Sequence, residues 1–301
     1  MKYLVAIVGA TAVGKTEVAI RVAQHFDTEI LSADSRQFYK GMDIGTAKPN
    51  AKELAAVKHH FIDCLPPEHP YSAGQYQTDA LEVLAQLFRQ HDVAVLVGGS
   101  GLYVEAVCNG FDPMPTIAPS VRDELNATLA SQGLPTLLAE LAQKDATYFA
   151  QVDKANPQRI IRALEVIRAT NLPYSTWRNK QATTRPFQTI LIGLDRPRPE
   201  LYARIEQRMD VMLAEGLLQE AQSLYHLRHL NALQTVGYKE IFDFMDGKTS
   251  WEQTVNLLKQ NSRNYAKRQL TWFRRNPQTK WFSPDQTPEI CQYIKNFTIN
   301  L

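Results

Sequence analysis

The stretch that decides the fold reads Gly9-Ala10-Thr11-Ala12-Val13-Gly14-Lys15-Thr16, and it matches the pattern GxxxxGK[ST] at every defined position. An apolar run of strand length precedes it and a helical pattern follows it, which is the context that this motif requires. Such a loop aims successive backbone N–H groups at an anion, and the helix N-terminus and Lys15 add positive charge. The sequence therefore predicts a phosphate-binding loop at Gly9–Thr16, with the Thr16 hydroxyl as a Mg²⁺ ligand.

The sequence has no acidic residue at the end of the predicted strand where nucleotide-hydrolysing P-loop proteins have one. In P-loop ATPases and GTPases an Asp ends a later apolar strand and helps to hold Mg²⁺. Here the run Val93–Val97 ends in Gly98-Gly99-Ser100-Gly101, without a carboxylate. Nucleotide hydrolysis is therefore disfavoured, and we expect the loop to bind a diphosphate.

Strand-like and helix-like segments alternate on both sides of the loop. This alternation is typical of βαβ units and predicts an α/β protein with a P-loop NTPase-like core, in which helices flank a parallel sheet. The predicted strands are Tyr3–Val8, Glu29–Leu31, Val93–Val97 and Thr189–Leu194. The predicted core helices are Lys15–Phe26, Thr78–Gln90, Pro199–Leu227, Thr235–Asp246 and Ser250–Arg274.

The pattern changes after Asp112, where a proline-marked loop opens a run without strand signals. Helical patterns follow at Ser120–Ser131, Thr136–Gln143 and Asn156–Ala169. We interpret the first part of this run as a helical insertion domain. The expected domains are therefore residues 1–112 and 155–301 for the core with its C-terminal helical part, and residues 113–154 for the insertion.

Composition excludes several classes of protein. The chain has 301 residues, of which 44% are hydrophobic and 21% are charged, as in ordinary globular proteins. Its three cysteines are widely spaced and form no CxxC pair, so we expect neither a disulfide framework nor a zinc ribbon. No apolar run approaches the roughly 20 residues that span a bilayer. These features favour a cytoplasmic protein without a membrane segment.

An acidic residue follows the second predicted strand. Asp34 stands just past Glu29–Leu31, and strand ends border the ligand crevice in an open α/β sheet. It is suited to accept a proton or a hydrogen bond from a substrate amine or hydroxyl. It is equally suited to cap a following helix. Its position alone leaves both interpretations open.

Seven blocks of the sequence, in a fixed order, carry a family resemblance. Besides the phosphate loop they are DSRQFYKGMDIGTAKP (34–49), VGGSGLY (97–103), NPQRIIRALEV (156–166), RIEQRMDVMLAEG (204–216), TVGYKE (235–240) and AKRQLTWFRR (266–275). With them the chain resembles the tRNA dimethylallyltransferase (isopentenyltransferase) family over nearly its whole length. The resemblance implies transfer of a dimethylallyl group from dimethylallyl diphosphate to the N6 amine of the adenosine 3′-adjacent to the anticodon in tRNA, with release of diphosphate.

The resemblance also implies the roles of three catalytic residues. Thr16 is expected at the bridging oxygen of the leaving group, and Arg208 is expected on the diphosphate. Asp34 is the implied carboxylate that orients the adenine amine and accepts its proton. The implied cofactor is Mg²⁺, and the implied partners are dimethylallyl diphosphate and the anticodon stem-loop of tRNA. We expect the chain to act as a monomer.

The family resemblance further implies a set of tRNA contacts. Because an amine stacked inside a folded loop cannot reach a closed channel, the base must leave its stack and enter the site. The implied contacts are Asp34, Ser35, Arg36, Gln37, Ser100, Arg122, Gln158, Arg159, Ile160, Ile161, Arg162, Gln234, Thr235, Val236, Gly237, Tyr238 and Lys239.

Charge near the C-terminus has one sign, since seven basic residues and no acid lie between Gln253 and Pro284. Lys259, Arg263 and Lys267 recur every fourth residue and form one helical stripe, which we predict to face RNA phosphates. The neighbouring aromatic residues Trp272 and Phe273 are predicted to face the core.

The sequence leaves three other functions open. The first is an isopentenyltransferase that modifies free AMP, ADP or ATP, against which the basic tail and the helical insertion argue. The second is a P-loop kinase, which the missing strand-end acid disfavours. The third is an RNA-binding protein without catalysis, and an intact GKT motif together with Asp34 and Arg208 argues against it.

Overall fold

A six-stranded sheet forms the centre of the compact unit built from Met1–Asn109 and Arg185–Leu301, and every neighbouring pair of its strands is parallel. The computed structural model describes residues 1–112, 114–178 and 184–299. The strand order is β3-β2-β4-β1-β5-β6. The strands are β1 (Tyr3–Gly9), β2 (Ile30–Ser32), β3 (His59–His60), β4 (Val93–Gly98), β5 (Gln188–Leu194) and β6 (Lys280–Phe282).

Helices connect these strands and make up the rest of the regular structure. In chain order they are α1 (Lys15–His25), α2 (Ala51–Ala56), α3 (Ala73–Leu87), α4 (Gly101–Cys108), α5 (Pro119–Gln132), α6 (Leu134–Lys144), α7 (Ala146–Gln151), α8 (Pro157–Thr170), α9 (Arg198–Ala214), α10 (Leu217–Ser223), α11 (Lys239–Met245), α12 (Trp251–Phe273) and α13 (Thr287–Ile299). None of the described helices combines the length and the apolar character that crossing a bilayer requires.

The central strand β1 is stabilised by burial on both of its faces. All seven of its residues are buried, because it lies between β4 and β5 and both of its faces are covered. Val5 and Ile7 pack into the core on one face, and Leu4 and Ala6 pack into the core on the other. Since all strands are parallel, the loops after β1, β2, β4 and β5 emerge at one edge of the sheet.

The structure confirms the predicted fold class and the four predicted strands, within one residue at each end. It adds β3 and β6, which have two and three residues and are too short for a periodic pattern. The predicted helix Pro199–Leu227 is wrong as a single element. It divides into α9 and α10 at Gly216, whose φ of 107° cannot continue a helix.

Residues Gly110–Thr184 form a second compact unit with its own core. Leu125, Leu137 and Leu141 are fully buried there against Ile161 and Leu164 of α8. The unit therefore includes α8, which the expected boundary at residue 154 assigned to the sheet-containing core. The expected first residue of the insertion, Pro113, lies outside the described residues, as do the last two residues of the chain.

Candidate active site

The phosphate loop adopts the predicted strand–loop–helix arrangement between β1 and α1. Gly9 is the last residue of β1 and lies very close to β5. A Cβ on this residue would be 2.7 Å from the Leu194 carbonyl oxygen. Gly14 precedes α1 in the left-handed region, with a φ of 112°. Lys15 Nζ donates to the carbonyl oxygens of Gly9 at 3.1 Å and Ala10 at 2.7 Å. The ammonium group is thus held across the loop.

The electrostatics of Lys15 indicate an anion site. Burial lowers the pKa of Lys15 to about 8, because the enclosed ammonium group has lost water. The carboxylate of Asp34 raises this pKa and the guanidinium of Arg208 lowers it. An anion bound in the loop would favour the charged form of Lys15 and oppose the effect of burial.

Arginines from the segment after β5 reach the same loop. The Arg208 guanidinium donates to the Thr11 hydroxyl, and Arg204 Nε donates to the Ala12 carbonyl oxygen at 3.0 Å. Burial lowers the pKa of Arg208, and the nearby Asp34 carboxylate raises it. As predicted, the two arginines lie one turn apart on α9 and point to one site. The two differ in exposure, because Arg204 is exposed and Arg208 is partly enclosed.

Asp34 does not cap a helix. One of its carboxylate oxygens accepts the backbone N–H of Arg36 at 2.9 Å, which stabilises the turn that follows β2. The next helix, α2, begins at Ala51 and is capped by Asn50. The helix-cap interpretation is therefore wrong, and the carboxylate stays at the edge of the sheet beside the phosphate loop.

Two cavities meet at Asp34. The first, of about 330 Å³, is lined by the phosphate loop with Lys15 and Thr16. The second is lined by segments with predicted tRNA contacts, among them Arg36 and Thr235. The residues that line both cavities are Thr11, Asp34, Thr46, Ala47 and Arg208.

A hydroxyl network supports the turn that holds Asp34. Ser100 Oγ accepts the backbone N–H of Ser35 at 2.9 Å and lies 3.2 Å from Ser35 Oγ. The Tyr265 side chain hydrogen-bonds Ser100, and burial raises the pKa of Tyr265 to about 12. The loops after β2 and β4 and helix α12 are thereby fixed together next to the second cavity.

Comparisons with known proteins place this geometry in a family. Residues 37–276 match the family model described as IPP transferase. The chain is 48% identical to the tRNA dimethylallyltransferase of Christiangramia forsetii, over 98% of each chain. It is 46% identical to the tRNA dimethylallyltransferase 1 of Bacteroides fragilis, again over 98% of each chain. The chain belongs to the IPP transferase family.

Solved structures agree with this assignment. The full-length tRNA isopentenylpyrophosphate transferase from Bacillus halodurans has a TM-score of 0.74 and 38% identity, covering 98% of this chain and 96% of that one. A eukaryotic dimethylallyltransferase acting on tRNA has a TM-score of 0.78 and 26% identity, covering 90% of this chain and 70% of that one. The family resemblance inferred from the sequence blocks is therefore confirmed.

The structure shows which of the predicted tRNA contacts in the second unit have exposed side chains. In the second unit, Ile160 and Ile161 are fully buried in the core, so their side chains cannot contact RNA as predicted. Arg122 and Arg162 keep exposed guanidinium groups, and both pair with the buried carboxylate of Glu165. Gln158 and Arg159 are exposed on the first turn of α8.

The basic stripe on α12 is only partly available to RNA. Lys259 pairs with Asp210 at 2.6 Å, and Arg263 pairs with Glu206. Both acids belong to α9, so a pattern read along α12 alone could not reveal them. Lys267 remains exposed at the end of the stripe.

The aromatic residues at the end of α12 follow the prediction that they face inward. Phe273 is buried, and Trp272 covers Gly101 so closely that a Cβ there would lie 2.2 Å from the indole ring. Phe273 is therefore closed to stacking on an unpaired base, whereas Trp272 is half-buried. The exposed cations of this helix are the groups that we expect to face RNA phosphates.

Substituting Lys267 and Arg268 together by Ala is expected to weaken binding of an anticodon stem-loop RNA about tenfold and to reduce the salt slope by about 2. The reason is that both side chains are exposed, and no ion pair engages either of them among the described residues. The matched control replaces Lys259 and Arg263, whose charges are already paired, and should change the slope less. Equal slopes for the two double variants, measured by fluorescence anisotropy against salt, would contradict this assignment.

Gln269 is a site residue that the sequence analysis did not single out. Its buried side chain accepts the backbone N–H of Thr11 at 2.8 Å and donates to the Gly99 carbonyl oxygen at 2.8 Å. It therefore ties the phosphate loop to the loop after β4. The only signal available beforehand was its place in the AKRQLTWFRR block.

Proposed function

We propose that the chain transfers a dimethylallyl group from dimethylallyl diphosphate to the exocyclic N6 amine of the adenosine 3′-adjacent to the anticodon in tRNA, releasing diphosphate. The observation that carries this proposal is the junction of the two cavities at Asp34. One cavity has the cations that a diphosphate needs, and the other is lined by residues from the family blocks with predicted tRNA contacts. A carboxylate at their junction can accept a proton from the adenine amine in the second cavity. The amine can then attack the allylic carbon of a dimethylallyl diphosphate bound in the first cavity.

The first cavity supports the departure of diphosphate. The allylic C–O bond breaks as negative charge grows on the leaving group, and preorganised donors stabilise that charge. Lys15, the Gly9–Thr16 backbone and Arg208 supply such donors. Because Arg208 is anchored to Thr11 of the loop, it is positioned before the ligand arrives.

Asp34 supports the attack on the allylic carbon. As the C–N bond forms, the amine must lose a proton, and a carboxylate within hydrogen-bond reach can accept it. The turn hydrogen bond from Arg36 fixes one oxygen of Asp34 and leaves acceptor capacity on the carboxylate for the amine.

The donor set of the first cavity fits Mg²⁺ as the cofactor. Mg²⁺ is usually held by one or two protein oxygens together with phosphate oxygens and waters. Thr16 lines this cavity and offers such an oxygen, and no group of three or more His, Cys, Asp or Glu side chains in the described ranges is arranged to hold a metal by itself. When bound through Thr16, the ion supplies counter-charge to the diphosphate.

We propose that the chain acts in the cytoplasm as a monomer. Cys64, Cys108 and Cys291 are free thiols, which fits a reducing compartment.

One incubation tests the reaction and the acceptor together. The protein, Mg²⁺ and dimethylallyl diphosphate are mixed with unmodified tRNA in one tube and with AMP or ATP in another, and digested nucleosides are analysed by mass spectrometry. We expect a dimethylallyl adduct on adenosine from tRNA only. An adduct on AMP or ATP alone would replace the proposal by the free-nucleotide reaction, and no adduct in either tube would refute transferase activity.

A further inference from the structure

One carboxylate holds a whole segment of the second cavity's wall. Glu220 on α10 accepts three successive backbone N–H groups, from Asp43 at 2.9 Å, Ile44 at 2.8 Å and Gly45 at 2.8 Å. It also accepts the hydroxyl of Tyr238 at 2.6 Å. Four donors on a single side chain are unusual for a carboxylate far along the chain from most of its partners. None of the roles described above involves Glu220.

The segment that Glu220 binds continues directly into the cavity. Gly45, Thr46 and Ala47 line the second cavity, and Gln37 Nε2 donates to the carbonyl oxygens of Thr46 at 3.2 Å and Ala47 at 3.0 Å. The loop is therefore tethered twice, by Glu220 at its first three N–H groups and by Gln37 at the carbonyl oxygens of Thr46 and Ala47. Without the Glu220 tether its first three N–H groups would lack their acceptor.

A second segment of the cavity wall is joined to the same carboxylate through Tyr238. This ring packs so closely on Gly45 that a Cβ there would lie 2.5 Å from it. Burial, followed by the nearby Glu220 carboxylate, raises the pKa of Tyr238, so its hydroxyl stays a donor. The preceding residues, Thr235–Gly237, line the same cavity, and a Cβ on Gly237 would lie 3.5 Å from the Gly45 carbonyl oxygen. Glu220 thus joins two segments that lie side by side in the wall of the cavity.

We infer that Glu220 is a positioning residue for the acceptor: it fixes the Asp43–Ala47 loop to the Thr235–Tyr238 segment, and so fixes the shape of the cavity wall that receives the RNA base. This inference rests on the proposed function of the second cavity. The groups that bind the diphosphate lie in the phosphate loop and on Arg208, and none of them contacts Glu220 in the described structure. Acceptor binding and diphosphate binding should therefore respond differently to its loss.

Glu220→Gln is the sharpest test because it keeps the size of the side chain. The amide of Gln has only one acceptor oxygen, and its NH₂ group is itself a donor. Some of the backbone N–H groups that donate to Glu220 would therefore lose their acceptor. We expect the dissociation constant for an anticodon stem-loop RNA to rise about tenfold. The dissociation constant for inorganic pyrophosphate should stay within about twofold. Wild-type turnover is measured alongside, so that an inactive wild type reports on the proposed function and not on this inference.

Two further variants make the result decisive. Glu215→Gln, five positions away on the exposed end of α9, is the matched control and should bind both ligands like the wild type. Tyr238→Phe removes one of the four hydrogen bonds, so it should raise the RNA dissociation constant by a smaller factor and remain folded. Unchanged RNA affinity in Glu220→Gln, or an equal loss for RNA and pyrophosphate, would overturn the inference. If Glu220→Gln does not fold, Tyr238→Phe decides by the same two affinities.

Discussion

Asp34→Ala is expected to lower kcat for tRNA about 10²- to 10⁴-fold, the range that a positioned general base contributes. The affinity for dimethylallyl diphosphate should stay within about twofold, because Lys15, Thr16 and Arg208 remain in place. The two effects separate because Asp34 stands at the junction of the cavities, while the groups that we propose to bind the diphosphate line the first cavity. Single-turnover kinetics with tRNA, together with equilibrium binding of the diphosphate, measure both quantities.

Asp34→Asn is the control that separates chemistry from folding. An Asn side chain still accepts the Arg36 N–H and keeps the turn, but it cannot accept a proton at neutral pH. It should therefore match the Ala variant in kcat and the wild type in Tm. If Asp34→Asn retained more than about a tenth of the wild-type kcat, the assignment of Asp34 as the proton acceptor would be wrong.

Arg208→Ala is expected to lower kcat/KM about 10²- to 10³-fold, as does the loss of one preorganised donor in other enzymes. KM for dimethylallyl diphosphate should rise, since Arg208 is enclosed beside the loop and no other guanidinium donates to Thr11 in the described structure. The neighbouring carboxylate of Asp34 would also lose a compensating charge. Steady-state kinetics in which the diphosphate concentration is varied at saturating tRNA test this prediction.

Arg204→Ala is the matched control for Arg208. It lies one turn earlier on α9 and donates to the Ala12 carbonyl oxygen, but it is exposed and screened by water. Its loss should change kcat/KM less than about tenfold. A larger loss for Arg204→Ala than for Arg208→Ala would reverse the roles given to these two residues.

Local sequence was sufficient to predict the parts of the site that neighbouring residues define. The phosphate loop is one such part, because its glycines, its lysine and its flanking strand and helix are contiguous. Asp34 is another, because a residue that follows a parallel strand must lie at the carboxyl edge of the sheet. The family blocks then suggested what these residues do, and the comparisons confirmed the family.

Sequence patterns were insufficient where a distant segment supplies the partner. The stripe on α12 contains no acid of its own, yet Asp210 and Glu206 on α9 pair with Lys259 and Arg263. Ile160 and Ile161 belong to a block predicted to contact tRNA, but helical packing in the second unit buries their side chains. A pattern along one helix reports which face is polar and does not report what the neighbouring helix places against it.

Local periodicity and one contiguous motif are enough to predict the P-loop α/β fold, the loop at Gly9–Thr16 and the acid beside it. The hydrogen bonds of Gln269 to Thr11 and Gly99, and those of Glu220 to the loop at Asp43–Gly45, follow only from tertiary packing. These partners are far apart along the chain, and no sequence pattern around a single glutamine or glutamate indicates which distant residue it will contact. Their roles arise when parallel strands bring separate loops to one edge and helices α10 and α12 pack beside it.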